Sequence, residues 1–255
     1  MCIIAAKFKG LELPNYNRLY SMFECNADGA GFMFKDDNNK IVIKKGLMTF
    51  TDFIDTLYSY NDKYDLVNRD LIMHFRWATH GGYTQGLTHP FAVSDNFNDM
   101  KKTDIEVDLA VCHNGVYNIK TEKGVSDSMV FIKNNIYPIY KEDNNFYKEN
   151  EKLLKLFRLG NKLAFLTKDG IKLVGDGFIK DEYDGIYYSN ETYSYYDDFD
   201  FEDFEDLYYD NYNYGMIEDT EEEEVQTNNK EEEDFEWFYE DNDIKFCGFG
   251  DLYEI

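Results

Sequence analysis

Hydrophobic and polar positions along the chain fall into short runs that mostly read as strands. Residues 2–8, Cys-Ile-Ile-Ala-Ala-Lys-Phe, are apolar apart from one lysine and predict a buried strand. Gly29 and Gly31 bracket a turn, after which 32–35 and 41–44 predict a hairpin joined by Asp36-Asp37-Asn38-Asn39. Phe53, Ile54, Leu57 and Tyr58 follow the i, i+1, i+4, i+5 spacing of one helical face. A helix is therefore predicted over 52–60, with Thr51 as its cap. Strands are predicted at 70–75 and 107–112, with a loop at 79–88 that carries Gly81, Gly82 and Gly86. Ser126 has the character of a helix N-cap, with Asp127 in the first turn and Met129, Val130 and Ile136 on the apolar side. Residues 152–157 predict a second helical stretch. A hairpin at 163–167 and 171–174 turns on Lys168-Asp169-Gly170, and 186–189 reads as a last short strand.

Past about residue 195 the periodicity gives way to Asp, Glu, Tyr, Phe and Asn. Residues 221–224 and 231–234 are like-charge blocks, a composition that stays solvated and disordered. Phe235, Trp237, Phe238, Tyr239, Phe246 and Phe249 lie among the acids, and such acidic–hydrophobic mixtures can order on binding a partner. One domain over residues 2–195 and an acidic, low-complexity tail over 196–255 are expected. The charge divides in the same way. Residues 191–255 hold 25 acids against 2 bases, a net of -23, whereas the first 190 residues hold 26 acids and 24 bases, a net of -2.

That balance repels phosphate backbones and anionic lipid, so neither nucleic acid nor a membrane surface is an expected partner. No window approaches the roughly 18 consecutive apolar residues of a spanning helix. The N-terminus lacks the charged region of a secretory signal. Cys2, Cys25, Cys112 and Cys247 form no Cys-x-x-Cys pair, so neither a disulfide framework nor a zinc knuckle is expected. A reducing cytosol is the simplest compartment. The abundance of Asn, Lys, Ile, Tyr and Phe suggests an AT-rich genome of the kind some viruses have, which would make that cytosol the host's.

Cys2 is the first residue with chemical promise. Removal of Met1 would put a thiol and a free α-amine on one residue. An amine titrating at about 7.7–8.0 beside a thiol near about 8.5 is a base–nucleophile pair that needs no separate histidine. With Met1 in place, that nitrogen is a non-basic amide and the pair does not exist. A buried strand residue is the alternative role for a cysteine in such a run.

His74-Phe75-Arg76-Trp77-Ala78-Thr79-His80-Gly81 resembles the His-x-Arg-Trp-Ala-Thr-His-Gly signature of class II glutamine amidotransferase domains, which belong to the N-terminal-nucleophile hydrolases. His89-Pro90-Phe91, His113-Asn114-Gly115-Val116-Tyr117-Asn118, Ser126-Asp127-Ser128 and Asp28-Gly29-Ala30-Gly31 resemble further motifs of that family, in family order. Residues 161–165 and Gly185-Ile186-Tyr187-Tyr188-Ser189-Asn190 are similar to its late strands. The likeness covers about residues 2–195.

The resemblance implies an α+β fold, a four-layer αββα sandwich, followed here by the disordered acidic C-terminal tail. It implies hydrolysis of L-glutamine to L-glutamate and ammonia through a thioester on Cys2. Asn114 and Gly115 would form the oxyanion hole, where loss of one donor typically costs about 10²–10³ in rate. Arg76 would grip the substrate α-carboxylate with its planar fork, and Asp127 would pair with the α-ammonium. Trp77, Thr79 and His80 would line the substrate, under a lid formed by the glycine-containing loop. No cofactor and no metal is expected; His74, His80, His89 and His113 are read as structural or substrate-adjacent, and Cys112 as a small buried hydrophobe.

Some positions depart from the family pattern. Ile3 replaces the usual glycine after the nucleophile, Cys25 stands where many members have arginine, and Met129 removes the capping-box acid expected after Ser126. No P-loop, pyrophosphatase motif or sugar-isomerase segment follows residue 195. The ammonia acceptor, a synthetase or a nucleotide-modifying enzyme, is therefore expected on another chain, or there is none. Two rival functions remain open to the sequence. One is an N-terminal-nucleophile amidase or peptidase acting on a different acyl substrate; the other is a non-catalytic protein that works through its acidic tail.

Overall fold

A computed structural model describes residues 2–78, 82–149 and 160–197. The helical stretch expected at 152–157, the tail beyond residue 197, and Thr79 and His80 lie outside the described residues. The described residues belong to one unit, Met1–Phe199. The fold is mixed α+β, with every described strand pairing antiparallel.

The strands are β1 Ile3–Lys7, β2 Ala30–Lys35, β3 Ile41–Leu47, β4 Leu71–Phe75, β5 Phe91–Ala92, β6 Asp104–Val107, β7 Ala110–Asn114, β8 Lys162–Thr167, β9 Gly170–Val174, β10 Ile179–Lys180 and β11 Tyr187–Tyr188. One sheet runs in the order β10-β11-β1-β4-β2-β3-β6 and the other in the order β5-β7-β8-β9. The helices are α1 Tyr16–Glu24, α2 Phe50–Tyr64, α3 Phe97–Lys101, α4 Asp127–Phe131, α5 Tyr137–Glu142 and α6 Phe146–Glu149. A π-helical turn, Ile132–Ile136, joins α4 to α5.

The alternation of β1 explains why it is buried throughout. Ile3 and Ala5 enter one hydrophobic cluster with Leu19, Met22 and Phe23 of α1 and Phe53, Ile54 and Leu57 of α2. Ile4 and Ala6 enter a second cluster, shared with Ala110 and Cys112 of β7 and Ala164 and Leu166 of β8. The opposite faces of β7 and β8 (Val111, Leu163 and Phe165) join Met129 of α4 in a third. Lys7 is tolerated in this central strand because its Nζ donates to the carbonyls of Leu11, Val67 and Arg69 at 2.8, 3.0 and 3.1 Å.

The structure corrects several expectations. The second helix begins at Phe50, and its cap is Thr49 rather than Thr51; the Thr49 side chain accepts the Asp52 N–H at 3.1 Å. Tyr58, placed on the apolar face by its spacing, is 42 % exposed. The strand expected over 107–112 is two strands in different sheets: β6 ends at Val107 and pairs with β3, and β7 begins at Ala110 and pairs with β5 and β8. Helix α1 has no counterpart among the predicted elements. Its apolar positions Leu19, Met22 and Phe23 have helical spacing, but buried Arg18 and Ser21 interrupt the stripe. Among the described residues no helix is long and apolar enough to cross a membrane.

Candidate active site

Cys2 leads directly into β1, beside the end of β4 (Ile3 pairs with Phe75). Its Sγ accepts the Trp77 N–H at 3.3 Å, and the thiol reaches the Trp77 carbonyl at 3.4 Å. Asn190 Nδ2 donates to the Cys2 carbonyl at 2.9 Å. Burial raises the thiol above its ordinary value, opposed by the Trp77 N–H, the chain's amino terminus and the Arg76 guanidinium. A raised thiol is protonated near neutral pH.

Arg76 and Trp77 follow β4 and are held by the Asp28-Gly29 turn. Arg76 N–H donates to the Gly29 carbonyl at 2.9 Å, Asp28 N–H donates to the Arg76 carbonyl at 3.0 Å, and Ala78 N–H donates to Asp28 Oδ2 at 2.6 Å. The Asp28-Gly29 turn thus orients the residues beside Cys2. The Arg76 side chain is buried and donates to the Gly82 carbonyl at 2.8 Å. Burial lowers the guanidinium below its ordinary value, while Cys2, Asp28, Tyr83 and Asp127 oppose that shift electrostatically. Those four groups therefore lie within the field of one cation. Trp77 is 49 % exposed, so it is no core aromatic.

Asn114 is the last residue of β7, and its Nδ2 donates to Ser189 Oγ at 2.8 Å. Gly115 follows at φ +146°, where a Cβ would fall 2.0 Å from Asn161 Oδ1. Only glycine lets the chain pass there. Asp127 opens α4 behind the Ser126 cap, whose hydroxyl accepts the Met129 N–H at 3.3 Å. Asp127 is buried, and its two oxygens accept the N–H groups of Tyr117 at 2.7 Å and Ser128 at 2.8 Å. A carboxylate has about four acceptor positions, so Asp127 keeps capacity for an ammonium, chiefly at Oδ2.

Three histidines sit behind these residues. His113 Nε2 lies 2.9 Å from Asn161 Oδ1, an acceptor, so that nitrogen carries the proton and Nδ1 accepts from Ser128 Oγ at 2.8 Å. His74 Nε2 donates to the His113 carbonyl at 3.1 Å, which links β4 to β7. His89 packs against His74, with ring centroids 4.2 Å apart and the planes tilted by 30°. The Tyr117 ring lies between His113, at 4.4 Å, and Phe131, at 3.9 Å, and fixes the loop after Gly115.

Of the residues expected at the site, Cys2, Arg76, Trp77, Asn114, Gly115 and Asp127 are described and lie at neighbouring strand and helix ends. Thr79 and His80 are outside the described residues. Sequence reasoning assigned no role to Ser189, Asn190, Asn161 or Ser128. Ser189 and Asn190 follow β11, Asn161 precedes β8 and Ser128 lies in the first turn of α4, but nothing local marks them as contacts. Compared with known proteins, the chain matches no protein-family model and no curated protein.

Proposed function

We propose that this chain is a glutaminase of the class II glutamine amidotransferase type, built on a four-layer αββα sandwich. Three hydrophobic clusters support that architecture, one shared by the two sheets and one between each sheet and its helices. The observation that carries the chemistry is the pairing of Cys2 Sγ with the backbone of Trp77, one residue beyond Arg76, while Arg76 also feels Asp127. A free amino acid's carboxylate and ammonium would then be gripped by a fork and a carboxylate, beside the sulfur.

Cleavage before Cys2 frees its α-amine, which takes the thiol proton directly or through one water. The thiolate attacks the γ-carboxamide carbon. The oxyanion is received by the Asn114 amide and the Gly115 N–H. Collapse breaks the C–N bond, the ammonium of Cys2 returns its proton to the leaving nitrogen, and ammonia departs. Water, deprotonated by the same amine, then attacks the thioester carbonyl and releases glutamate and the thiol. The ammonia passes to an acceptor enzyme on another chain, for which the acidic tail is a tether.

Cys2→Ala should abolish ammonia release from glutamine while calorimetry still detects glutamine binding. Intact mass should show that Met1 is absent from the active form. Hydrolysis that persists in the mutant, or an active chain that keeps Met1, rejects this mechanism.

A further inference from the structure

We infer that Ser189 is a positioning residue that aims the Asn114 amide toward the nucleophile, an inference that rests on the glutaminase reading above. Ser189 follows β11 and is fully buried. Its hydroxyl oxygen is the meeting point of two sheets. From the first sheet, the N–H of Ile4, two residues beyond Cys2, donates to Oγ at 2.9 Å. From the second, Asn114 Nδ2 donates to the same atom at 2.8 Å. A hydroxyl oxygen has two lone pairs, and these donors fill both.

The surrounding bonds make the oxygen a fixed point. Ser189 N–H donates to the Ile4 carbonyl at 2.9 Å, so Ser189 and Ile4 are tied twice. The neighbouring Asn190 donates to the Cys2 carbonyl at 2.9 Å, and Lys162 Nζ donates to the Ser189 carbonyl. The nucleophile strand and the oxyanion donor are thereby referenced to one dipeptide, far from both in sequence. An amide nitrogen carries two N–H groups about 120° apart in one plane. Anchoring one on Ser189 fixes the direction of the other, which is the geometry an oxyanion donor needs before charge develops. Without the anchor, the amide turns freely about its last bond and stabilises the transition state only part of the time.

The role predicts a split in kinetics. Ser189→Ala, in the full chain with Met1 removed, should lower kcat by roughly 10–100-fold, the scale of a misaligned transition-state donor. KM should stay within about twofold, because Arg76 and Asp127 are untouched. Ser189→Thr keeps the oxygen and should recover kcat. In an Asn114→Ala background, Ser189→Ala should cost no further kcat, because the group it orients is gone. Ser189→Cys, of similar volume but with a weak acceptor, repeats the comparison if the alanine variant unfolds.

A wild-type chain that hydrolyses glutamine, with Ser189→Ala and Ser189→Cys within about threefold of it in kcat, overturns the inference and leaves the glutaminase reading standing. So do losses that multiply with Asn114→Ala. A wild-type chain with no glutaminase activity sinks the reading first and the inference with it.

Discussion

At Gly115 one missing methyl group holds the loop in place. The backbone is at φ +146°, and the space a Cβ would take is occupied by Asn161 Oδ1, the acceptor for His113 Nε2. Gly115→Ala must strain the backbone or displace Asn161, which would leave a buried histidine nitrogen unpaired. A loss of about 1–3 kcal/mol is expected, measured by urea unfolding, together with loss of the proposed glutamine turnover. Overlapping unfolding curves would mean that the loop yields at no cost. Gly115 itself was legible from its motif. Asn161 was not, because the contact that makes the glycine necessary comes from β8's approach and leaves no mark on the local pattern.

At the level of elements, Arg18 ties α1 to the segment after β10. Its guanidinium reaches Asp181 at 2.8 Å, Asp184 at 2.6 Å and Asp197 at 2.9 Å, with only 7 % of the side chain exposed. Tyr188 OH donates to Asp184 at 2.6 Å and Tyr193 OH donates to Asp181 at 3.0 Å. Burial pushes the Asp181 carboxyl up, but Arg18 and the Asp184 and Tyr183 N–H groups outweigh it and hold it at about 2. Its contribution is therefore complete above the ordinary carboxylate range and is lost as pH falls toward 2. Arg18→Met leaves three carboxylates facing one another and should cost about 3 kcal/mol at neutral pH. The deficit should shrink at pH 3, where the unpaired carboxylates take up protons. A thermal midpoint equal to wild type at neutral pH would show the network to be dispensable. The same arginine is the reason α1 was missed: a buried charge on the inner face reads as solvent-facing until its partners, more than 160 positions away, are known.

Across the whole molecule, the junction between the sheets contains histidines that folding keeps neutral. Burial lowers His74 from its ordinary value to about 3, His89 well below its ordinary value, and His113 in the same direction. Each is a depressed base. The unfolded chain binds protons as pH falls through the ordinary histidine range, whereas the folded chain does not. Stability is thus complete above that range and falls as pH drops from 6.5 toward 3. Each fully buried histidine adds at most roughly 1.4 kcal/mol per pH unit in that window. Both ring nitrogens of His89 lack a hydrogen-bond partner among the described residues. His89→Phe should therefore flatten the pH dependence while costing little at pH 8. Urea unfolding at pH 8 and pH 5 checks this; equal free energies at the two values would mean that the imidazoles take up protons within the fold.

Local pattern by itself determined the strand character of residues 2–8, both hairpins, the Ser126 cap and the motif residues at the strand ends, because backbone preference and burial periodicity act over a few neighbours. It also determined the divided charge. Only the tertiary structure decided that the run at 107–112 splits between two sheets, that Thr49 and not Thr51 caps α2, and that Arg18 turns inward. It also decided that one serine oxygen receives both the Ile4 amide of β1 and the Asn114 side chain. These outcomes depend on which distant group satisfies a buried donor or charge. Chain topology selects that group, and no short stretch of residues contains the information.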